Sequence, residues 1–266
     1  MAGPTGYEPL NTLKPVAEGI WLIDGPAITF MGLPFSTRAT VVRLDNGDLW
    51  VHSPTQLTDS LREELEAVGP VAYLVAPNWS HYAHVADWQA AFPKAVFWAA
   101  PGVMARAEKK GLTLPKPRDL QADKAERLWA GQLRQMIVRG STVHREAVFF
   151  HKASKTLILT DLIEAFETEK LPAHCRPFVW LNGIDDSDGK TPPIIRWSYK
   201  DKAVMAEDLE TLIGWGPERV ILAHGRWYER NGVGELERAF RRVLKDHRWD
   251  KLIKHAKEKT AEHSDE

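Results

Sequence analysis

Short apolar runs bounded by turn residues recur along the chain, and each reads as a buried strand. Residues 19–24, 39–44 and 49–52 come first. Asp45-Asn46-Gly47-Asp48 supplies the positive-φ turn between the last two. Thr58 or Asp59 can cap a helix running to Val68, with Leu61, Leu65 and Val68 along one face. A strand at 72–76 then leads through Pro77-Asn78 into a helix expected to reach Ala91, with Asn78 as its N-cap. A strand at 95–99 and a helix over 101–110 follow. Residues 112–130 are rich in proline and charge and read as a surface loop. Three more strands are expected at 133–138, 147–151 and 156–160, the last two joined by a short hairpin. Residues 164–200 break the rhythm with proline, glycine and paired acidic positions. A long irregular segment of this kind is usually a functional loop. A helix over 201–214, a strand at 220–223 and a charged amphipathic helix from Glu235 complete the pattern. Two mixed sheets, each covered on its outer face by helices, satisfy this order.

The length, 266 residues, can bury a sizeable core. No repeat or clean linker divides it, so one domain spanning 1–266 is expected. Residues 1–15 read as an N-terminal arm and 246–266 as a charged C-terminal tail. Lys and Arg number 35 against 36 Asp and Glu, so no global field favours nucleic acid or an acidic membrane surface. The single cysteine, Cys175, excludes an intramolecular disulfide and fits a reducing compartment. With no stretch long enough to span a bilayer and no secretory leader pattern, a cytoplasmic protein with a small-molecule substrate or ligand is expected. Eleven tryptophans suit a large aromatic core. They could equally line a pocket or the interface of a homo-oligomer.

The candidate chemistry sits at strand ends. The run ending at Ala76 leads to His81 and His84, the run ending at Thr160 leads to Asp161, and the run ending at Ala223 leads to His224-Gly225. In layered α/β folds, polar side chains converge on a crevice at such ends. Ser53 or Ser80 with a histidine and Asp161 could be drawn as a nucleophilic triad. The Gly-x-Ser-x-Gly elbow that normally carries such a serine is absent, which argues against it. His52, His151 and His174 read as structural, and His247, His255 and His263 as solvated.

From residue 16 to residue 245 the chain resembles the metallo-β-lactamase-fold superfamily, and within it the DUF4336 branch. The resemblance rests on Val51-His52-Ser53-Pro54, Leu74-Val75-Ala76-Pro77-Asn78, Leu159-Thr160-Asp161-Leu162 and Leu222-Ala223-His224-Gly225. It implies a four-layer αββα sandwich with a metal site at the edge between the sheets. The superfamily carries a His-x-His-x-Asp-His motif after the strand that ends here at Ala76. Aligned back from Phe92-Pro93, this chain has Ala76, Asn78 and Ser80 where the motif has its first three ligands, and retains His81. The resemblance therefore implies a reduced site of His81, Asp161 and His224, holding zinc, or iron or manganese. His84, three residues after His81 on the expected helix, and His144, ahead of the 147–151 strand, are the candidates for a further ligand. Two histidines and a carboxylate with an open position make a hydrolytic zinc shell. The resemblance thus implies a metal-dependent hydrolase acting on an ester, lactone, thioester or phosphoester. A non-catalytic descendant of the fold that binds a ligand or a protein is the alternative.

Overall fold

The computed structural model describes residues 6–30, 32–121 and 124–262. Residues 1–5 of the expected arm and His263 of the tail lie outside them. Two sheets pack face to face. The first runs in the order β1 (Lys14–Ala17), β2 (Ile20–Phe30), β3 (Leu33–Arg43), β4 (Leu49–His52), β5 (Val71–Ala76), β6 (Val96–Ala99) and β7 (Arg118–Asp119). It is antiparallel from β1 to β4 and parallel from β4 to β7. The second has the order β11 (Arg219–Ile221), β10 (Thr156–Ile158), β9 (Ala147–His151) and β8 (Leu133–Ile137), with β10 and β11 parallel.

Period-two alternation in the second sheet builds the layers. Leu133, Ile137, Ala147, Phe149, Ile158 and Ile221 join the core shared with the first sheet. Their neighbours Met136, Val148, Phe150, Leu157 and Val220 face the other way. There they pack with α6 (Lys202–Gly214) and α7 (Gly232–Ala239) through Met205, Leu209, Leu212 and Leu236. The first sheet is covered by α1 (Asp59–Val68), α2 (Val85–Ala91) and α3 (Val103–Lys109) through Leu61, Leu65, Val85, Trp88, Val103 and Ala107. The αββα sandwich is thus realised. Of the tryptophans, Trp50, Trp98 and Trp129 pack together in the shared core and Trp88 is buried under α2, while Trp180, Trp197 and Trp249 are exposed.

Several elements differ from expectation. β2 and β3 are eleven residues each and form one long hairpin. The expected strands stop at residue 24 and resume at 39, whereas the ladder runs on, with a register shift between Gly25 and Ile28 accommodating Pro26. Residues 78–84 form turns, and α2 begins only at Val85. The irregular 164–200 segment contains two short helices, α4 (Arg176–Asn182) and α5 (Pro193–Arg196). Residues 6–13 are pinned rather than a free arm. Tyr7 donates to Glu167 at 2.6 Å, and Thr12 and the Leu13 amide donate to Glu64. The charged tail is helical through α8 (Arg241–Glu262), and His247 is buried on it while His255 is exposed. The Thr58 hydroxyl caps α1 by accepting from the Leu61 amide, a contact worth about 1 kcal/mol. No helix among the described residues is long and apolar enough to cross a membrane.

Candidate functional site

Parallel strands in both sheets end at the same edge. In the first sheet, β4 delivers Ser53 and β5 delivers Asn78 and His81; in the second, β10 delivers Asp161 and β11 delivers His224. The Pro77 carbonyl accepts from the Ala147 amide at 2.8 Å, tying the two sheets together beside these residues.

His81, Asp161 and His224 converge, with one ligand atom from each lying within 4.8 Å of the others. Asp161 Oδ1 lies 2.9 Å from His81 Nε2 and 3.2 Å from His224 Nε2. His224 donates its Nδ1–H to the Ser36 carbonyl at 2.6 Å. Its Nε2 therefore faces a carboxylate oxygen at a distance where a proton, as in the imidazolium that Asp161 favours, or a cation must lie between them. Burial acts against the charged forms, but the mutual attraction outweighs it. Asp161 is held well below the usual carboxylate range by His81 and His224, and His224 is raised by Asp161. The donor set and the direction of its lone pairs fit a small divalent cation.

The walls around these groups come from both sheets. Arg38 on β3 is buried, and its guanidinium pairs with Asp24 and donates to the Leu222 and Gly225 carbonyls at 2.8 Å each. The Ser36 hydroxyl accepts from the Gly225 amide. The hairpin of the first sheet thus grips the turn that carries His224 from both sides. Gly225 has φ +86°, and a Cβ there would lie 2.0 Å from the Ala165 carbonyl oxygen, so only glycine allows this approach. Phe35 and Phe166 pack on the His224 ring at centroid distances of 5.2 and 6.5 Å.

The remaining sequence candidates fall elsewhere. His84 is not in the cluster: its ring is about a third exposed, 3.6 Å from Asp87, in a turn before α2. The reason is the late helix start, which removes the i,i+3 relation to His81. His144 is buried and forms a second group with Glu146 and Asp161, one ligand atom from each lying within 4.8 Å of the others, but both its nitrogens are committed. Trp79 Nε1–H donates to Nδ1 at 3.1 Å, so Nε2–H donates to Glu146 at 3.2 Å. It supports the site from behind.

Sequence reading missed Glu146 and Glu164 and gave Asn78 a different role. Glu146 is fully buried and accepts from the Thr160 and Asp161 amides at 2.7 and 2.9 Å, fixing the strand end that presents Asp161. An acidic residue directly before the apolar run 147–151 was the available signal. Asn78 is no helix cap. Its carbonyl closes an Asx turn onto the Ser80 amide, while its NH₂ donates to Thr160 and to Asp161 Oδ2 at 2.9 Å. Glu164 is buried with Oε2 unpartnered, and burial pushes its pKa up to about 8. Its neighbours Asp161 and Glu146 add to the rise, against His224.

A family model, a domain of unknown function designated DUF4336, matches residues 18–186. The chain belongs to the DUF4336 family. No curated protein matches its sequence. Among solved structures, the DUF4336 chain is similar to the metallo-β-lactamase DIM-1 exposed to ceftazidime, at 15% identity and TM-score 0.60 over 85% of this chain and 94% of that one. It is also similar to TMB-1, at 12% identity and TM-score 0.60 over 87% and 97%. A third is FIM-1 from Pseudomonas aeruginosa in its mono-zinc form, at 12% identity and TM-score 0.58 over 88% and 96%. At these identities the likeness establishes a shared metallo-β-lactamase fold.

Proposed function

We propose that this DUF4336 protein is a hydrolase with one divalent metal ion, held by His81, Asp161 and His224. The observation that supports this most is the convergence of three donor atoms. With Nδ1–H of His224 committed to Ser36, its Nε2 is the ring atom that faces Asp161 Oδ1, which His81 Nε2 also approaches. When bound, such a metal supplies Lewis acidity and activates water at neutral pH. FIM-1 offers a precedent for a one-metal form on this fold.

The chain's own residues set the limits of that site. Asn78 Nδ2–H occupies Asp161 Oδ2, leaving Oδ1 as the oxygen available to a metal. Glu146, accepting from the Thr160 and Asp161 amides, fixes the backbone that presents Asp161, and Ser36 with Arg38 holds His224 and its turn. The Phe35 and Phe166 rings exclude water on the His224 side. A small ester, lactone, thioester or phosphoester is the proposed substrate class.

Asn78 also favours a second reading. An amide where the superfamily has a ligand, hydrogen-bonded to the remaining carboxylate, suits a descendant that binds a ligand or partner without turning it over. A panel of p-nitrophenyl esters, lactones and phosphoesters separates the two. The hydrolase reading expects turnover that a chelator abolishes and zinc restores, and that His224→Ala lacks. Turnover of none of them by zinc-loaded protein would leave the binding-module reading in its place.

A further inference from the structure

We propose that Ser53 is the nucleophile of an acyl-transfer activity that the same cluster of side chains supports in its metal-free state. Ser53 Oγ lies 2.7 Å from His81 Nδ1, and His81 Nε2 lies 2.9 Å from Asp161 Oδ1. Asp161 carries a carboxylate that only accepts, so a neutral His81 must place its proton on Nε2. That leaves Nδ1 as the acceptor facing the Ser53 hydroxyl. The order is hydroxyl, imidazole, carboxylate, which is the arrangement that activates a serine through a general base and an orienting acid. Asp161 is in turn fixed by Asn78 Nδ2–H on its other oxygen and by Glu146 on its amide.

The backbone supplies what the sequence lacks. Ser53 has φ +54°, in the left-handed region that a non-glycine residue occupies only under constraint, and its amide is anchored to the Val75 carbonyl at 2.9 Å. It stands where β4 ends and the chain turns toward α1. A strained backbone at a serine that closes a strand is one feature shared with a nucleophile elbow; here Ser53 is buried and α1 begins only at Asp59.

The reaction balances without a further reactant. Ser53 Oγ bonds to the acyl carbon while its proton passes to His81 Nδ1. The bond to the leaving alcohol or thiol breaks, and that group takes the proton. Water then repeats the sequence, releasing the acid and restoring Ser53. This goes beyond the metal reading and shares His81 and Asp161 with it. His81 Nε2 cannot serve both at once, so the two are alternative states of one cluster.

The test is chemical, because a serine that only props His81 would have the same hydrogen bond. The full chain, dialysed against a chelator, is treated with a fluorophosphonate and analysed by intact mass and peptide mapping. One adduct per chain on Ser53 is expected, absent in Ser53→Ala and formed at least about 100-fold more slowly in His81→Gln. No adduct on the wild-type protein, an adduct elsewhere that persists in Ser53→Ala, or an unchanged rate in His81→Gln would each overturn the proposal. Metal content, measured separately, distinguishes its failure from failure of the metal reading.

Discussion

Replacing Glu164 by Gln should remove an alkaline weakness from the fold. Glu164 is only 4% exposed, its Oε2 has no hydrogen-bond partner, and burial lifts its pKa from 4.5 to about 8. Below pH 4.5 the carboxyl is protonated in both folded and unfolded chains and does not affect the balance. Between pH 4.5 and 8 the unfolded chain releases the proton while the folded chain keeps it. Stability therefore falls as pH rises through this window, by about 1.4 kcal/mol per unit. Integrated from about pH 5.5 to 8, with the slope halving at the folded pKa, the loss is about 3 kcal/mol. Gln has nearly the same shape and no proton to lose, so its variant should lack this loss. Urea unfolding of both proteins in chelator at the two pH values measures the difference directly, because all other titrating groups are shared. A wild-type disadvantage that grows by about 3 kcal/mol toward pH 8 is expected. Parallel pH dependences, within about 0.5 kcal/mol, would mean that Glu164 is ionised in the fold and that its uncompensated burial beside Asp161 and His224 is misread.

Two further perturbations address the support of the site. Gly225→Ala places a Cβ 2.0 Å from the Ala165 carbonyl oxygen at φ +86°, and should cost at least about 3 kcal/mol in chemical unfolding with His224 displaced. Glu146→Gln keeps the volume but turns an NH₂ toward amides or the His144 Nε2–H that now donate to a carboxylate. It should cost about 1–3 kcal/mol and weaken zinc binding, read by competition with a chromogenic chelator, about 10–100-fold.

The legible parts of the sequence were those governed by local pattern. β4 is a four-residue apolar run closed by Ser53-Pro54 and appears at its expected limits, as do the ends of β5 and β9. The alternation of Ala147–His151 and the bounded run before His224 sufficed to place the strand ends, and with them His81, Asp161 and His224. What stayed hidden depended on contacts distant in sequence. Ser36 and Arg38 drew no expectation from the local pattern, yet they are buried because they hydrogen-bond to residues 222–225 at the end of the other sheet. Glu146 is buried only because the amides of Thr160 and Asp161 meet it. Asn78 has the composition of a helix cap, and its Asx turn delays the helix to Val85, carrying His84 out of reach. Ser53 lacks the flanking glycines that mark a nucleophile in sequence, and its φ of +54° is imposed by the surrounding structure and leaves no trace in the neighbouring letters.

Metal content tests the central claim most directly. Protein purified without chelator, equilibrated with zinc and freed of excess, should carry about one ion per chain by elemental analysis, and His224→Ala less than about 0.2. Fewer than about 0.2 ions per wild-type chain, or equal content in His224→Ala, would contradict a metal held by His81, Asp161 and His224.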